Sequence, residues 1–366
     1  KQTVMKFSLS REALLKPLQL VIGVVERRQT LPILSNVLLS LSGKILSVTG
    51  TDLEVEIVGV TEVSDVLEEG STTVSARKIL DICRSLPDGA VVNFSSSEGK
   101  VSIKSSKSSF MLSTLPASEF PSVDGGEKSF EFDISGQELQ KLIEATSFAM
   151  AQQDVRYYLN GMLWELTSGQ IRVVATDGHR MALSDGNCDI SVEEPVKAIV
   201  PRKGVVELQR LLDDNTVKIV LGSNHLRAVG SDYQFTSKLV DGAYPDYNRV
   251  LPKGGDKIIE ADRLALKAAF GRAAILSNEK YRGVRLSISE GSLKIVASNP
   301  EQEEAQEDLE VKYNSESMEI GFNVSYLLDV LNVLDHETLK MTLINSNSSV
   351  LIESLKDSHS LYVVMP

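Results

Sequence analysis

The sequence predicts an α+β protein built from three copies of one domain. The first observation is a strand pair that recurs. The runs "LPILSNVLLSL" (31–41), "YYLNGMLWEL" (157–166) and "KYRGVRLSI" (280–288) are each followed by a second run ending in a polar pair: "GKILSVTGTD" (43–52), "GQIRVVATDG" (169–178) and "GSLKIVASNP" (291–300). Asn36 to Asp52, Gly161 to Asp177 and Gly283 to Asn299 each span 16 residues, and the whole pattern returns about every 122–125 residues. The second observation is a helix-periodic segment on either side of each pair. The third is a set of alternating apolar and polar runs, broken by Gly, Asn and Ser, after each second helix. Such alternation with turn residues means antiparallel hairpins.

The opening helices are expected at 10–22, 135–149 and 262–276, with apolar residues at i, i+3, i+4 and i+7. Ser10 and Asp262 fit N-caps, and Ser135 with Glu138 fits a capping box. The second helices are expected at 75–86, 201–212 and 323–334. Each copy then reads β-α-β-β-β-α-β-β-β. Gly, Pro and charge cluster at 122–129 and 251–257, as in linkers, which divides the chain into domains 5–125, 129–252 and 256–366. A strand-rich unit with two helices packs its helices on one face of antiparallel sheets. Three in a row leave open sheet edges at both ends, which a two-fold dimer would pair.

Composition bounds the function. The net charge of −12 argues against a generally basic nucleic-acid binder, but in the helical segments basic residues outnumber acidic ones. If the helices share one surface, that surface is basic while the sheets are acidic. The last helix, without Lys or Arg, departs from this pattern. No apolar run approaches the roughly 18–20 residues of a membrane span. Cys83 and Cys188 are far apart, which fits free thiols in a reducing, cytoplasmic setting. The N-terminus has no signal-peptide pattern, and Met5 fits a natural start preceded by Lys1–Val4.

Catalytic motifs are missing. There is no phosphate-binding G-x-x-x-x-G-K-[ST], no H-E-x-x-H and no G-x-S-x-G, and the histidines (179, 225, 336, 359) are scattered. No metal site and no cofactor are expected. The one enzyme-like cluster is Asp177–His179–Arg180 in "VATDGHRMAL" (174–183). A hydrolase using Asp177 and His179 is the alternative reading. Against it, Asp177 is the middle member of the repeated set Asp52, Asp177, Asn299. Asn299 cannot act as a base, and Asp52 has no histidine beside it. An Asp or Asn after a strand is better read as a turn residue bonding its own backbone.

The stretches "TLPILSNVLL", "TGTDLE", "SARKILDICRSLP", "QDVRYYLNGML", "VATDGHRMA", "FTSKLVDGAYPDYNRVLP", "NPEQEEAQE" and "YVVMP" resemble the bacterial sliding clamps, the beta subunits of DNA polymerase III holoenzyme, from about Met5 to Pro366. The resemblance implies three DNA-clamp domains per chain and a head-to-tail homodimeric ring, with helices lining the inner face and antiparallel sheets outside. It implies a processivity factor, not an enzyme. Its partners would be double-stranded DNA, bound without sequence readout, and a second copy. The replicative polymerase, the clamp loader, other polymerases and repair proteins would bind through short linear motifs with Leu and Phe anchors.

Carried over by position, the DNA-facing residues are Arg28, Arg77, Arg84, Gln153, Tyr157, Tyr158, Arg202, Lys203 and Arg210. The partner-peptide cleft, between the second and third domains, takes Leu159, Thr176, Gly178, His179, Arg180, Met181, Pro245, Arg249, Val250, Ser349, Val363, Val364, Met365 and Pro366. His179, Arg180 and Met181 are expected to present mixed polar and apolar surface to the partner. Met181 stands where Leu is commoner, and the chain stops at Pro366 where members of the family usually run a few residues further. The dimer interface would pair Phe110 and Leu112 with Ile275 and Leu276. Glu301, Glu303, Glu304 and Glu307 would face Lys100, Lys104 and Lys107 of the second copy.

Overall fold

The six expected helices are all present in the computed structural model, which describes residues 4–27, 30–123, 126–357 and 359–366. They are α1 (Arg11–Val21), α2 (Ala76–Ser85), α3 (Gly136–Thr146), α4 (Arg202–Leu211), α5 (Arg263–Ala274) and α6 (Val324–Val333). The starts of α1 and α5 are capped as the sequence suggests. The Ser10 hydroxyl accepts from the Ala13 N–H, and the Asp262 carboxylate from the Ala265 N–H. Ser75 and Asn323 do the same for α2 and α6. Each cap satisfies an otherwise unbonded first-turn N–H, a contribution of about 1 kcal/mol. The buried faces follow the apolar period, as in α2, where Ala76, Ile79, Leu80 and Cys83 turn inward.

The expected order lacks one strand per copy. A further strand runs directly into each second helix: Gly70–Ser75, Val196–Pro201 and Met318–Asn323. With no loop between strand and helix, no turn residue marks the change. The first copy also has a short strand, Asp65–Glu68.

By contact, the chain divides into two units. Unit one holds residues up to Gln137 together with Lys203–Leu239, and unit two holds Glu138–Arg202 together with Val240–Pro366. The middle copy therefore contributes one half to each.

In unit one a thirteen-stranded sheet runs through the first copy and on into the middle copy, taking that copy's first strand and its last three. The joining rung is antiparallel: Tyr233–Lys238 lies against Val55–Glu62, with Phe235 opposite Ile57 and Thr236 opposite Glu56. Helix α1 packs on Ile45–Thr51 and Val55–Glu62. It comes so close that a Cβ on Gly59 would sit 2.9 Å from Pro17, which explains the glycine. Phe7 and Phe94 stack at 4.8 Å in this core.

Unit two has an eight-stranded and a four-stranded sheet. Here the joining rung pairs Arg180–Asn187 of the middle copy with Ser360–Val364 of the third. Met181 lies opposite Val363, and Ala182 opposite Tyr362. Trp164, Tyr362 and Phe270 are its largest fully buried side chains.

The turn before each joining strand is the same device built twice. In unit two, the Asp177 Oδ1 accepts from the N–H groups of His179 (2.9 Å) and Arg180 (3.1 Å). Thr176 Oγ1 donates to the Arg180 carbonyl and accepts from the Gly178 N–H. In unit one, Asp52 Oδ1 accepts from Glu54 (3.0 Å) and Val55 (2.8 Å), and Thr51 bonds the Val55 carbonyl and the Leu53 N–H. Gly178 has φ +89°, and Leu53 repeats that left-handed geometry at +79°. In the third copy Asn299 Oδ1 accepts from Glu303 (2.9 Å), one residue further along. All three residues bond their own backbone, as the repeated pattern predicts.

Candidate peptide cleft and nucleic-acid surface

The joining rung of unit two carries an apolar cluster. Leu163, Val174, Met181, Leu183, Ile199, Tyr247 and Val363 form its buried floor. Tyr158, Val240, Tyr244, Val250, Leu251, Leu351 and Leu361 pack partly buried against it. The floor arises because strand alternation points Met181 and Val363, which are register partners, to the same face. Tyr247 is fixed by its hydroxyl, which donates to Glu165 Oε1 (2.7 Å) and accepts from Arg172 Nη1 (3.3 Å). Arg172 is itself held by both oxygens of Asp185 (2.6 and 2.9 Å).

Around this floor the polar groups make a rim. His179 is exposed, and its ring lies over Tyr326 at 6.2 Å. Its carbonyl accepts from the Met365 N–H (3.1 Å), which extends the strand ladder to the C-terminal residues. Thr176, Val250 and Ser349 are half-buried; Pro245, Arg249, Met365 and Pro366 are exposed. Leu159 is buried, and its carbonyl accepts from Ala151. A Cβ on Gly178 would sit 3.0 Å from the Arg156 guanidinium, so any side chain there would press on that group.

Two expectations for this rim are corrected. Met181 is only 2 % exposed, so it is floor and presents no surface; Val363 and Val364 are likewise fully buried. Arg180 is 13 % exposed and fully engaged. Its guanidinium is sandwiched between the rings of Tyr326 (4.5 Å) and Phe148 (5.4 Å). It pairs with Asp177 (3.2 Å) and Asp329, and donates to the Phe148 carbonyl (3.2 Å). A planar, always-charged group suits this position, flanked by rings and bonded in its own plane. Asp177 thus orients backbone and Arg180 and does not touch the His179 ring through any described bond. That removes the geometry a hydrolase would need.

The basic candidates divide between the units. In unit one, Arg84 is exposed in the last turn of α2, and Arg77 is half-buried with Nη2 3.4 Å from the Val25 carbonyl. Lys203 pairs with Glu26 (2.7 Å) and Asp52 (2.5 Å). Burial opposes its charge, but these two carboxylates outweigh that and raise its pKa. Arg210 pairs with Glu207 (2.9 Å) and donates to the carbonyls of Gln19 and Leu20 at the end of α1. Lys203 and Arg210 therefore hold elements of unit one together before they can serve a phosphate.

In unit two, Gln153, Tyr157 and Tyr158 lie on one segment after α3, with the two tyrosine rings edge-on at 5.7 Å. Arg202 reaches the Met150 carbonyl at the base of that segment (3.5 Å). Arg28 lies outside the described residues.

Two strands with unpaired stretches carry the expected interface residues or lie beside them. Ser108–Leu115 pairs along one side with Lys100–Ser105, but on the other only Thr114 and Leu115 meet a neighbour. Phe110 and Leu112 are half-buried there, while Met111 is 65 % exposed. Glu304–Glu310 is one edge of the four-stranded sheet. Ile275, beyond α5, is 76 % exposed, and Leu276 half-buried. Glu307, expected to face a lysine of a second copy, already has a partner in its own chain. Arg272 of the same chain takes both its oxygens (2.6 and 3.1 Å) and holds its pKa below the ordinary carboxylate value.

Three family models match in chain order: the DNA polymerase III beta subunit N-terminal domain at residues 5–124, its central domain at 133–246 and its C-terminal domain at 248–366. The chain belongs to the DNA polymerase III beta subunit family. It is 57% identical to the beta sliding clamp of Pseudomonas aeruginosa over 364 residues, 99% of each chain. It is 53% identical to that of Escherichia coli K12 over 367 residues, again 99% of each. A crystal structure of the P. aeruginosa clamp bound to griselimycin superposes with a TM-score of 0.97 at 57% identity, covering 99% of both chains. Caulobacter crescentus pol III beta gives 0.94 at 38%, also over 99% of both. As a DNA polymerase III beta subunit this chain is a sliding clamp, a non-enzymatic processivity factor.

Sequence reasoning missed several residues that shape the clamp's cleft. Tyr244 and Tyr247 sit in the "AYPDYNR" segment (243–249), just before the linker, and turn inward. Phe148, Tyr326 and Asp329 fix Arg180 from α6 and the segment after α3. The aromatic residues in an otherwise polar segment were a usable signal. The Arg180 contacts were not, because they join positions 32 to 149 residues apart in the chain.

Proposed function

We infer that this clamp acts as a homodimeric ring around duplex DNA and recruits its partners through the rung Arg180–Asn187/Ser360–Val364. The carrying observation is the apolar floor of that rung, rimmed by Thr176, His179, Pro245, Arg249, Val250 and Met365. A floor already packed needs only a few apolar anchors from a short peptide to give useful affinity. Domains 5–125, 129–252 and 256–366 supply the three copies.

The repeat itself suggests how the ring closes. Phe235 pairs opposite Ile57, and Tyr362 opposite Ala182. Phe110 holds the position of Phe235 and Tyr362 in the first copy, and Ala305 that of Ile57 and Ala182 in the third. The open edge Ser108–Ser113 then pairs with Glu304–Glu310 of a second copy, Phe110 opposite Ala305, with Leu112, Ile275 and Leu276 covering the rung. DNA contacts fall to Arg77, Arg84, Gln153, Tyr157, Tyr158 and Arg202, with Arg28, Lys203 and Arg210 as weaker contributors. Dispersed phosphate contacts position without reading sequence, which suits sliding. No described helix is long and apolar enough to cross a membrane, and we assign the clamp to the cytoplasm.

Retention after loading tests the ring. The protein should stay on circular DNA and leave once that DNA is linearised. Equal loss from both forms would refute encirclement. Phe110→Glu should sediment as a monomer and lose retention on the circle.

A further inference from the structure

The backbone that carries the cleft exists twice, but its chemistry does not. In unit one the turn Thr51–Val55 repeats the bonds of Thr176–Arg180, and the Lys238 N–H donates to the Glu54 carbonyl (2.9 Å) as Met365 does to His179. Strand register fixes which residues correspond. Met181 pairs with Val363, which pairs with Leu351. At the equivalent rung Glu56 pairs with Thr236, which pairs with Arg227. One strand further, Leu163 faces Val174 in unit two and Leu38 faces Thr49 in unit one. Where unit two sets Met181, Val363, Leu351 and Val174, unit one sets Glu56, Thr236, Arg227 and Thr49.

These polar residues are tied together. Arg227 Nε donates to Thr236 Oγ1 (3.2 Å), and Glu56 Oε2 accepts from the Val123 N–H (3.1 Å). Burial raises the Glu56 pKa, while the Val123 N–H and the nearby Arg227 charge pull it back. Glu56 and Arg227 are half-buried, so the face remains partly open to water. An apolar side chain laid on it would strip water from a carboxylate and a guanidinium and return no hydrogen bond, which disfavours binding.

We propose that Glu56, Arg227 and Thr236 are specificity determinants that bar apolar peptide anchors from the first rung, so that unit one offers no peptide site. This rests on the reading of the second rung as the peptide cleft.

The test is calorimetric titration of the full dimeric clamp with a short peptide bearing adjacent Leu and Phe anchors. The unsubstituted protein should bind one peptide per chain. The variant Glu56→Met/Arg227→Leu/Thr236→Val should bind two, the new site within about 100-fold of the first, since three apolar contacts replace three polar ones. A stoichiometry that stays at one while the native site keeps its affinity overturns the proposal. No binding to the unsubstituted protein would instead refute the cleft reading. If the triple variant loses the native site, Glu56→Gln/Thr236→Val, closer in shape, carries the same test at higher peptide concentration. There, weak second-site binding supports the exclusion and its absence refutes it.

Discussion

The two joining rungs use the same turn carboxylate on different cations. In unit two Asp177 holds Arg180 of its own turn, and Arg180 reaches on to Asp329 of α6 and lies between two aromatic rings. In unit one Asp52 holds Lys203 from the first turn of α4, and a separate pair, Arg210–Glu207, seals the end of α1. One device is concentrated in a single half-buried guanidinium, the other spread over two partly solvated pairs. The difference teaches that a shared backbone motif does not fix where the energy sits. A basic residue conspicuous in the sequence can be structural in one copy and available in the next.

Removing the concentrated lock should have the largest effect. Arg180→Ala leaves Asp177 and Asp329 without their cation, and should lower the stability of unit two by about 3 kcal/mol. Trp164, the chain's single tryptophan, is buried in that unit, so its fluorescence in urea reports the loss. Arg180→Lys should recover less than half, because an ammonium cannot bond in plane and stack at once. Full recovery by lysine would mean that charge alone matters there.

The distributed lock should yield less. Lys203→Met should cost about 1 kcal/mol in unit one and barely change the salt dependence of DNA retention. Arg84→Ala, with no carboxylate partner among the described residues, should leave stability intact and lower the salt slope by about one unit. The reverse pattern would show that Lys203 is the phosphate contact.

Glu56 gives a pH test of the polar rung. Its folded pKa is raised above the ordinary 4.5, mainly by burial. The folded state therefore binds that proton more tightly than the unfolded chain, and the associated stability, full below pH 4.5, is lost as pH rises through the folded pKa. Glu56→Gln should match the parent near pH 4 and exceed it at pH 8, by less than about 1 kcal/mol given its partial exposure. Thermal unfolding followed by circular dichroism at the two pH values would show it.

The smallest effect belongs to Glu307. Since Arg272 already holds it, Glu307→Gln should shift dimer dissociation by no more than about fivefold in sedimentation equilibrium.

Much of this was legible beforehand. The equal 16-residue spacing and the helix periods led to three copies and six helices because burial imposes those periods locally. The strands running straight into α2, α4 and α6 were hidden, since no turn residue separates them. At the cleft, the identity of Thr176, Gly178 and Met181 could be read, but not their exposure. Whether Met181 is floor or rim depends on Val363 opposite it, which arrives from a strand 182 positions later. Lys203 and Arg210 looked like phosphate contacts because sequence shows charge and hides the carboxylate that a fold brings to it.

The most direct test of the cleft is photo-crosslinking. A Leu–Phe peptide carrying a benzophenone is bound to the clamp, irradiated, and the adducts are mapped by mass spectrometry. Adducts confined to 176–181, 245–250 and 363–366 are the expected result. Adducts at the matching turn and strand of unit one, 51–58 and 234–238, would contradict the assignment of the peptide site to unit two.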